Sequence, residues 1–213
     1  RTVHANMPLT DVDLTVEPIE LPDSVAEFLR EADRRCGEHV TRIPCAFRGF
    51  VPSDYVFVYQ VLRTVAESGV VCGNSFCEWG SGLGVVASLA ALVGFDAYGI
   101  EIDRELFDAS LELAEDFDIQ VEFINGSFIS HGAEDLIDEA FADCDGGLSL
   151  DPHADDAYDE LGLEVRDFDV VFAFPWPNDE ELTANLFERY AARGALLLTY
   201  SDSNIIRLRR KVA

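Results

Sequence analysis

The segment Phe76-Cys77-Glu78-Trp79-Gly80-Ser81-Gly82-Leu83-Gly84 constrains the fold more than any other part of the chain. A strand-like run breaks into a turn with glycine at every second position, and the apolar run Val85 to Val93 then opens a helix. Alternate glycines strip the Cβ atoms from one face of such a turn, so a ligand can lie against bare backbone. The following helix points its unpaired amides and the positive end of its dipole at the same place. Twenty-one residues after Gly80 comes Glu101, near the end of a second strand-like run, Ala97-Tyr98-Gly99-Ile100-Glu101-Ile102. A carboxylate there can accept hydrogen bonds from a ribose diol. Two strands, a glycine turn and a ribose acid describe a site for a nucleoside-bearing ligand.

Gly82-Leu83-Gly84-Val85-Val86-Ala87 fits the dinucleotide pattern G-x-G-x-x-A, a weak signal by itself. The longer pattern, acid-x-Gly-x-Gly-x-Gly at the tip of the first strand, resembles the first motif of the class I S-adenosylmethionine-dependent methyltransferases. The resemblance implies that Gly80, Ser81, Gly82 and Gly84 face the methionine part of S-adenosyl-L-methionine. It also implies Glu78 close by, Glu101 on the ribose hydroxyls and Ile102 beside it in the cofactor site. Gln120 to Phe128 reads as the third strand, where members of that family often carry Gly-Asp near the adenine amine. Here Ser127 replaces the acid, which passes adenine recognition to its hydroxyl, to backbone groups or to stacking by Phe128. Phe168 to Pro177 resembles the fourth strand and the loop beside the reactive methyl group, with Phe174 near the cofactor and Pro175 and Trp176 as the wall of a substrate pocket. Gly194 to Tyr200 supplies a fifth strand, and the resemblance covers roughly residues 50 to 201.

The fold expected is α/β, a doubly wound three-layer sandwich with a mostly parallel sheet and the ligand beyond the carboxyl ends of the first strands. Family members finish with an antiparallel strand pair. Only about a dozen residues follow Ser201, and Ile205 to Leu208 can supply at most one short strand. Either the sheet is shortened at that edge or the N-terminal region fills it. Residues 1–49 read as an N-terminal arm and helix covering the core, and residues 50–213 as the cofactor-binding core with an acidic insertion at 129–167. The first helix starts near Ser24, whose spacing to Glu27 is that of a capping box, and Gly37 is the expected stop. A loop with Pro44, Gly49 and Pro52 leads to a second helix, Asp54 to about Ser68, with an apolar stripe of Tyr55, Val58, Tyr59, Leu62 and Val65. Phe50 to Tyr55 resembles the segment that covers the cofactor in many methyltransferases, so Tyr55 is either a pocket residue or part of the packed stripe.

The insertion is strongly acidic: from Glu134 to Asp169 there are 14 acids and one base, Arg166. Leu136, Ile137, Ala140 and Phe141 predict one short amphipathic helix within it. Asp143-Cys144-Asp145-Gly146-Gly147 resembles a calcium loop but lacks the third spaced acid and the terminal glutamate, which excludes an EF-hand. His131 and His153 have no partner at metal-ligand spacing, and no metal is expected.

The length of 213 residues and 48% apolar content fit one domain with an ample core. No apolar run approaches the ~20 residues of a membrane span, and the start, Arg1-Thr2-Val3-His4, has no apolar signal core. Five scattered cysteines, Cys36, Cys45, Cys72, Cys77 and Cys144, form neither a disulfide framework nor a zinc pattern, which points to a reducing, cytoplasmic compartment. Acids outnumber bases 41 to 15, the formal net charge is −26, and Lys211 is the only lysine. Such a chain repels DNA and RNA. The one basic cluster, Arg207 to Lys211, reads as a terminal strand pairing with the acidic body rather than as a nucleic-acid foothold.

If the chain is a methyltransferase, the motif fixes the cofactor and leaves the acceptor open. Nucleic-acid and glutamine amino-group methyltransferases often show Asp/Asn-Pro-Pro followed by an aromatic where this chain has Phe174-Pro175-Trp176-Pro177. Either Ala173 or Phe174 takes the polar position, which argues against base-amine methylation. Asn178, Asp179 and Glu180 could bind or deprotonate a nucleophile, or simply form the acidic first turn of the next helix. No catalytic triad is visible. The first reading is a methyltransferase acting on a small molecule or a basic protein. A nicotinamide oxidoreductase comes second and a non-catalytic cofactor- or partner-binding domain third. The oligomeric state is not readable. The acidic surface fits either a saline environment or a cationic partner. In the saline case the melting temperature rises from low to molar KCl, as the screening length falls from ~10 Å at 0.1 M to ~3 Å at 1 M; a flat or falling curve in thermal melts leaves the charge to a partner.

Overall fold

The computed structural model describes residues 9–42, 52–143, 156–201 and 205–212. Seven strands form one sheet: β1 (Leu9–Asp11), β2 (Ser75–Trp79), β3 (Asp96–Glu101), β4 (Val121–Asn125), β5 (Val170–Ala173), β6 (Leu196–Ser201) and β7 (Ile205–Lys211). Their order is β1-β7-β6-β5-β2-β3-β4. The β6–β5–β2–β3–β4 block is parallel, and β7 and β1 continue it antiparallel. The edge left open by the sequence is therefore filled by the N-terminal residues. Asp11 lies opposite Arg209 in the ladder and takes a two-pronged ion pair from Arg207, Nε to Oδ1 at 2.7 Å and Nη2 to Oδ2 at 3.0 Å. Both side chains are exposed, so the pair sets register more than stability. The basic cluster is used in the same way elsewhere: Arg210 donates to the Val70 carbonyl and Lys211 to that of Ala191.

Strand alternation sorts side chains into two cores. Phe76, Ala97, Phe123, Val170, Phe172, Leu196 and Leu198 face one layer of helices, α1 (Asp23–Arg42), α2 (Tyr55–Glu67), α3 (Val85–Leu92) and α4 (Arg104–Asp116). Cys77, Trp79, Ile100, Ile124, Val171, Ala173 and Leu197 face the other, α5 (Glu134–Asp143), α6 (Ala157–Leu161) and α7 (Glu180–Tyr190). Three layers result, as expected. Leu14, Val16, Ile19 and Leu21 lie along the first core between β1 and α1.

Two helix boundaries differ from the sequence reading. Helix α1 begins one residue before Ser24, with the Pro22 carbonyl accepting from the Ala26 amide, so Ser24 is inside the first turn. It also runs through Gly37 to Arg42, because Gly37 lies in open space and Arg34 bridges Glu31 and Glu38 across it. Arg35 further ties the helix to Asp116 of α4. Helix α2 matches closely: Asp54 Oδ1 accepts from the Phe57 amide, Ser68 closes the last turn, and the apolar stripe is buried. In the acidic insertion α5 is present with Ile137 buried, while α6 and a short 3₁₀ turn at Val165–Asp167 had no clear periodicity to announce them. The turn at residues 144–147, His153, Cys45, Cys144, Pro44, Gly49, Phe50 and Val51 lie outside the described residues. Among the described residues no helix is long and apolar enough to cross a membrane.

The glycine that packs most tightly is Gly84. Its φ is +69°, and a Cβ built there would fall 2.9 Å from Ser110 Cβ and nearer still to the Phe123 ring. Gly84→Ala therefore combines a left-handed penalty with overpacking and is expected to cost about 2–5 kcal/mol. Denaturant unfolding of the variant checks this; a loss below ~1 kcal/mol would show that Phe123 can move aside.

Candidate active site

The chain leaves β2 for β3 and β4 on one side, then crosses back to β5 on the other. The carboxyl ends of β2 and β5 thus form the topological switch point where open α/β sheets bind ligands. A cleft open to solvent lies there. Its floor is the turn after β2, and its walls are the segment before α2 and the Phe174–Pro177 loop after β5.

The turn is built on left-handed glycines, Gly80, Gly82 and Gly84, with φ of 70°, 54° and 69°. Only glycine adopts these values without strain. A Cβ on Gly80 would meet nothing within 4 Å, so this residue presents open backbone to the cleft. Gly84 faces inward to Phe123 and does not line the cleft, which corrects the expectation that all three glycines share one ligand face.

The amides of the turn are divided between protein partners and the cleft. Gly80 and Ser81 donate to the Ile100 carbonyl, Gly84 to that of Ser81, and Ser88 to that of Gly84. The Gly82 amide donates to Glu101 Oε2 at 2.6 Å and the Ala87 amide to Glu78 Oε2 at 2.8 Å. Val85 and Val86, the first residues of α3, line the cleft and keep their amides out of this network. A helix N-terminus of this kind favours a carboxylate or other anion.

Glu78 and Glu101 are each 5% exposed. They project from the same face of the sheet, because Glu78 pairs with Gly99 in the β2–β3 ladder and Glu101 is two residues beyond Gly99. Gly99 leaves room for the turn: a Cβ there would fall 3.0 Å from Ser81 Oγ and 2.6 Å from the Phe123 ring. Burial drives the Glu78 carboxyl well above its ordinary value, with the Ala87 amide opposing and the Glu101 charge adding to the shift. Burial raises Glu101 as well, against the pull of the Asp103 and Gly82 amides. Glu101 Oε1 accepts from Asp103 at 2.8 Å, and each carboxylate oxygen can accept again from a ligand hydroxyl.

Eight residues singled out from the sequence meet in the cleft: Glu78, Gly80, Ser81, Gly82, Tyr55, Phe174, Pro175 and Trp176. Tyr55 both lines the cleft and packs, its hydroxyl 3.7 Å from Cys36 Sγ. Trp176 is half-buried and belongs to neither core. Ala173 faces the second core and Phe174 the cleft. Glu101, Ile102, Ser127 and Phe128 lie outside the cleft lining. Ile102 is 47% exposed just beyond Glu101. Ser127 Oγ accepts from the Ile129 amide, and Phe128 stacks on Trp79 at 5.0 Å with ring planes 5° apart. Ser53, Val85, Val86, Phe172 and Pro177 complete the lining. Pro177 belongs to the loop expected as the pocket wall and Ser53 to the segment expected over the cofactor; Val85 and Val86 could have been named from the helix-start pattern, and Phe172 enters through tertiary packing. Asp179 is buried at the start of α7, and Glu180 forms its first turn.

An RNA methyltransferase from Salinibacter ruber, solved with S-adenosylhomocysteine, matches 76% of this chain and 94% of its own at 17% identity and a TM-score of 0.51. The fold is that of the class I methyltransferases. A tRNA methyltransferase from Pyrococcus abyssi, likewise with S-adenosylhomocysteine, matches 72% of this chain at 17% identity and TM-score 0.44, and a Podospora anserina methyltransferase matches 84% at 12% and 0.49. The chain spans 30% and 62% of those two proteins. No protein-family model and no curated protein matches the sequence.

The raised Glu78 carboxyl gives a signed prediction. A carboxyl whose folded value exceeds its unfolded one, ordinarily near 4.5, stabilises the fold below that pH and loses this contribution as pH rises toward the folded value. Glu78→Gln keeps an acceptor for Ala87 and removes the buried charge. The variant should melt above the parent at pH 7, with the gap closing toward pH 4; a variant less stable at both ends would show that the charge itself holds the turn.

Proposed function

We propose that the chain is an S-adenosylmethionine-dependent methyltransferase whose acceptor is a small molecule or a basic protein. One observation carries the reading: two buried acids bracket a left-handed glycine turn at the switch point, beside free helix amides. The donor set fits the cofactor part by part. Cleft-side amides of Val85 and Val86 suit a carboxylate, Glu78 an ammonium, and Glu101 a ribose diol, while exposed Ile102 just beyond Glu101 offers apolar contact to adenine. Bound there, the sulfonium supplies an activated methyl group, which leaves the protein to orient a nucleophile and exclude water.

A dinucleotide fits less well. Its pyrophosphate would need the amides at the start of α3, and Glu78 already takes that of Ala87. The Salinibacter and Pyrococcus proteins are named for RNA and tRNA. For this chain a net charge of −26 weighs against a polyanionic acceptor.

Calorimetry with S-adenosylmethionine, S-adenosylhomocysteine and NAD in parallel tests the reading. The first two should bind and NAD should not. Glu101→Ala should weaken S-adenosylhomocysteine by about 1.5–3 kcal/mol, the scale of a hydrogen bond to a charged group. Unchanged affinity in a folded variant removes Glu101 from the site.

A further inference from the structure

The acceptor side of the cleft is more specific than "small molecule". Resting on the methyltransferase reading, we propose that the acceptor is a small flat heteroaromatic with a neutral pyridine- or imidazole-type ring nitrogen, methylated there without loss of a proton to give a cation.

The wall is aromatic and braced. Tyr200 packs edge-on against Phe174 with ring centres 4.9 Å apart, and its hydroxyl accepts from the Asp54 amide at 2.8 Å. The loop after β5 is thereby tied to the segment that enters α2, across the cleft mouth. Pro175 and Pro177 flank Trp176 and restrict its backbone. Tyr55, Phe174 and Trp176 put three aromatic side chains in the lining, and a lining of that kind favours a planar ring.

The lining also excludes charge of one sign. Among the described residues that line the cleft, none is lysine, arginine or histidine. A carboxylate or phosphate on the acceptor would enter a strongly acidic protein and meet no cation among the described residues of the lining. A positive charge, in contrast, is favoured both by the aromatic faces and by the field of the whole chain.

The third constraint is the proton. Tyr55 turns its hydroxyl to Cys36 Sγ, and Glu78 is bonded to the Ala87 amide beneath the turn, at the end assigned to the cofactor's ammonium. An alcohol, phenol, thiol or alkylammonium would have to give up a proton, and among the described residues no carboxylate, histidine or lysine lines the acceptor side of the cleft to take it. A pyridine- or imidazole-type nitrogen, with a conjugate-acid pKa of about 6.5 for imidazole, carries a free lone pair near neutrality. That lone pair forms the new N–CH₃ bond while the S–CH₃ bonding pair returns to sulfur. One positive charge moves from sulfur to nitrogen, S-adenosylhomocysteine leaves as a neutral thioether, and no base is consumed.

The test uses the full chain saturated with S-adenosylhomocysteine and titrates isoquinoline, N-methylisoquinolinium, 2-naphthol and isoquinoline-3-carboxylate by calorimetry. A parallel reaction of isoquinoline with S-adenosylmethionine is followed by mass spectrometry. Isoquinoline should bind, N-methylisoquinolinium several-fold tighter, and the carboxylate not at all; the reaction should yield N-methylisoquinolinium. Trp176→Leu should weaken isoquinoline about tenfold, the scale of losing one aromatic stacking partner. Trp176→Phe should hold it within a few-fold, and both variants should bind S-adenosylhomocysteine as the parent does. Preference among the four rings decides the matter in the parent protein even if a variant fails to fold. Equal or better binding of 2-naphthol or the carboxylate, or no ring bound to a protein that does bind S-adenosylhomocysteine, overturns the acceptor class alone. Failure of S-adenosylhomocysteine to bind overturns the cofactor reading and the acceptor class with it.

Discussion

The site depends on two buried carboxylates holding a glycine turn by its amides. Glu78 takes the Ala87 amide in the first turn of α3, and Glu101 takes the Gly82 amide in the middle of the turn. Each bond joins a strand end to the backbone of the next element, so the turn cannot drift relative to β2 and β3. Burying two acids opposes folding, since burial raises the cost of ionising both and the Glu101 charge adds to that of Glu78. The amide bonds offset part of that cost. A chain under selection for stability alone would not place both acids there, and this makes the pair a better functional marker than the glycines.

The glycine pattern was legible because its chemistry is local. Alternate glycines with an acid before them announce a left-handed turn, and all three φ values agree. The purpose of each glycine was not legible. Gly80 opens onto the cleft, whereas Gly84 makes room for Phe123, a residue thirty-nine positions away that only the β3–β4 pairing brings near. The same limit governed the helix ends. Gly37 reads as a stop, but the ion pairs of Arg34 and Arg35 carry α1 past it. The parallel strands were found because buried strands are continuous apolar runs. β1 was missed because three residues, Leu9–Asp11, carry no period, and their place is set by pairing with β7.

The same division appears in the charges. Net charge and the scarcity of lysine are properties of composition and were read at once. The use of the few cations is a property of the fold. Arg207 meets Asp11, Arg210 meets the Val70 carbonyl and Lys211 the Ala191 carbonyl, all along β7. The basic cluster thus closes the sheet edge.

Strand parity explains why the cleft wall has the chemistry it has. Along β5 the side chains alternate between the two cores, Val170 and Phe172 to one, Val171 and Ala173 to the other. Phe174 therefore emerges on the same side as Phe172, facing the turn, and no sequence alignment is needed to assign it the cleft position. Because Tyr200 on β6 stands on that side too, the aromatic pair forms as a consequence of register, Phe172 opposite Leu198 and Ala173 opposite Thr199. A polar side chain at 174 would lose that contact and face Tyr200 instead of solvent. The apolar wall is thus fixed by the same alternation that builds the core.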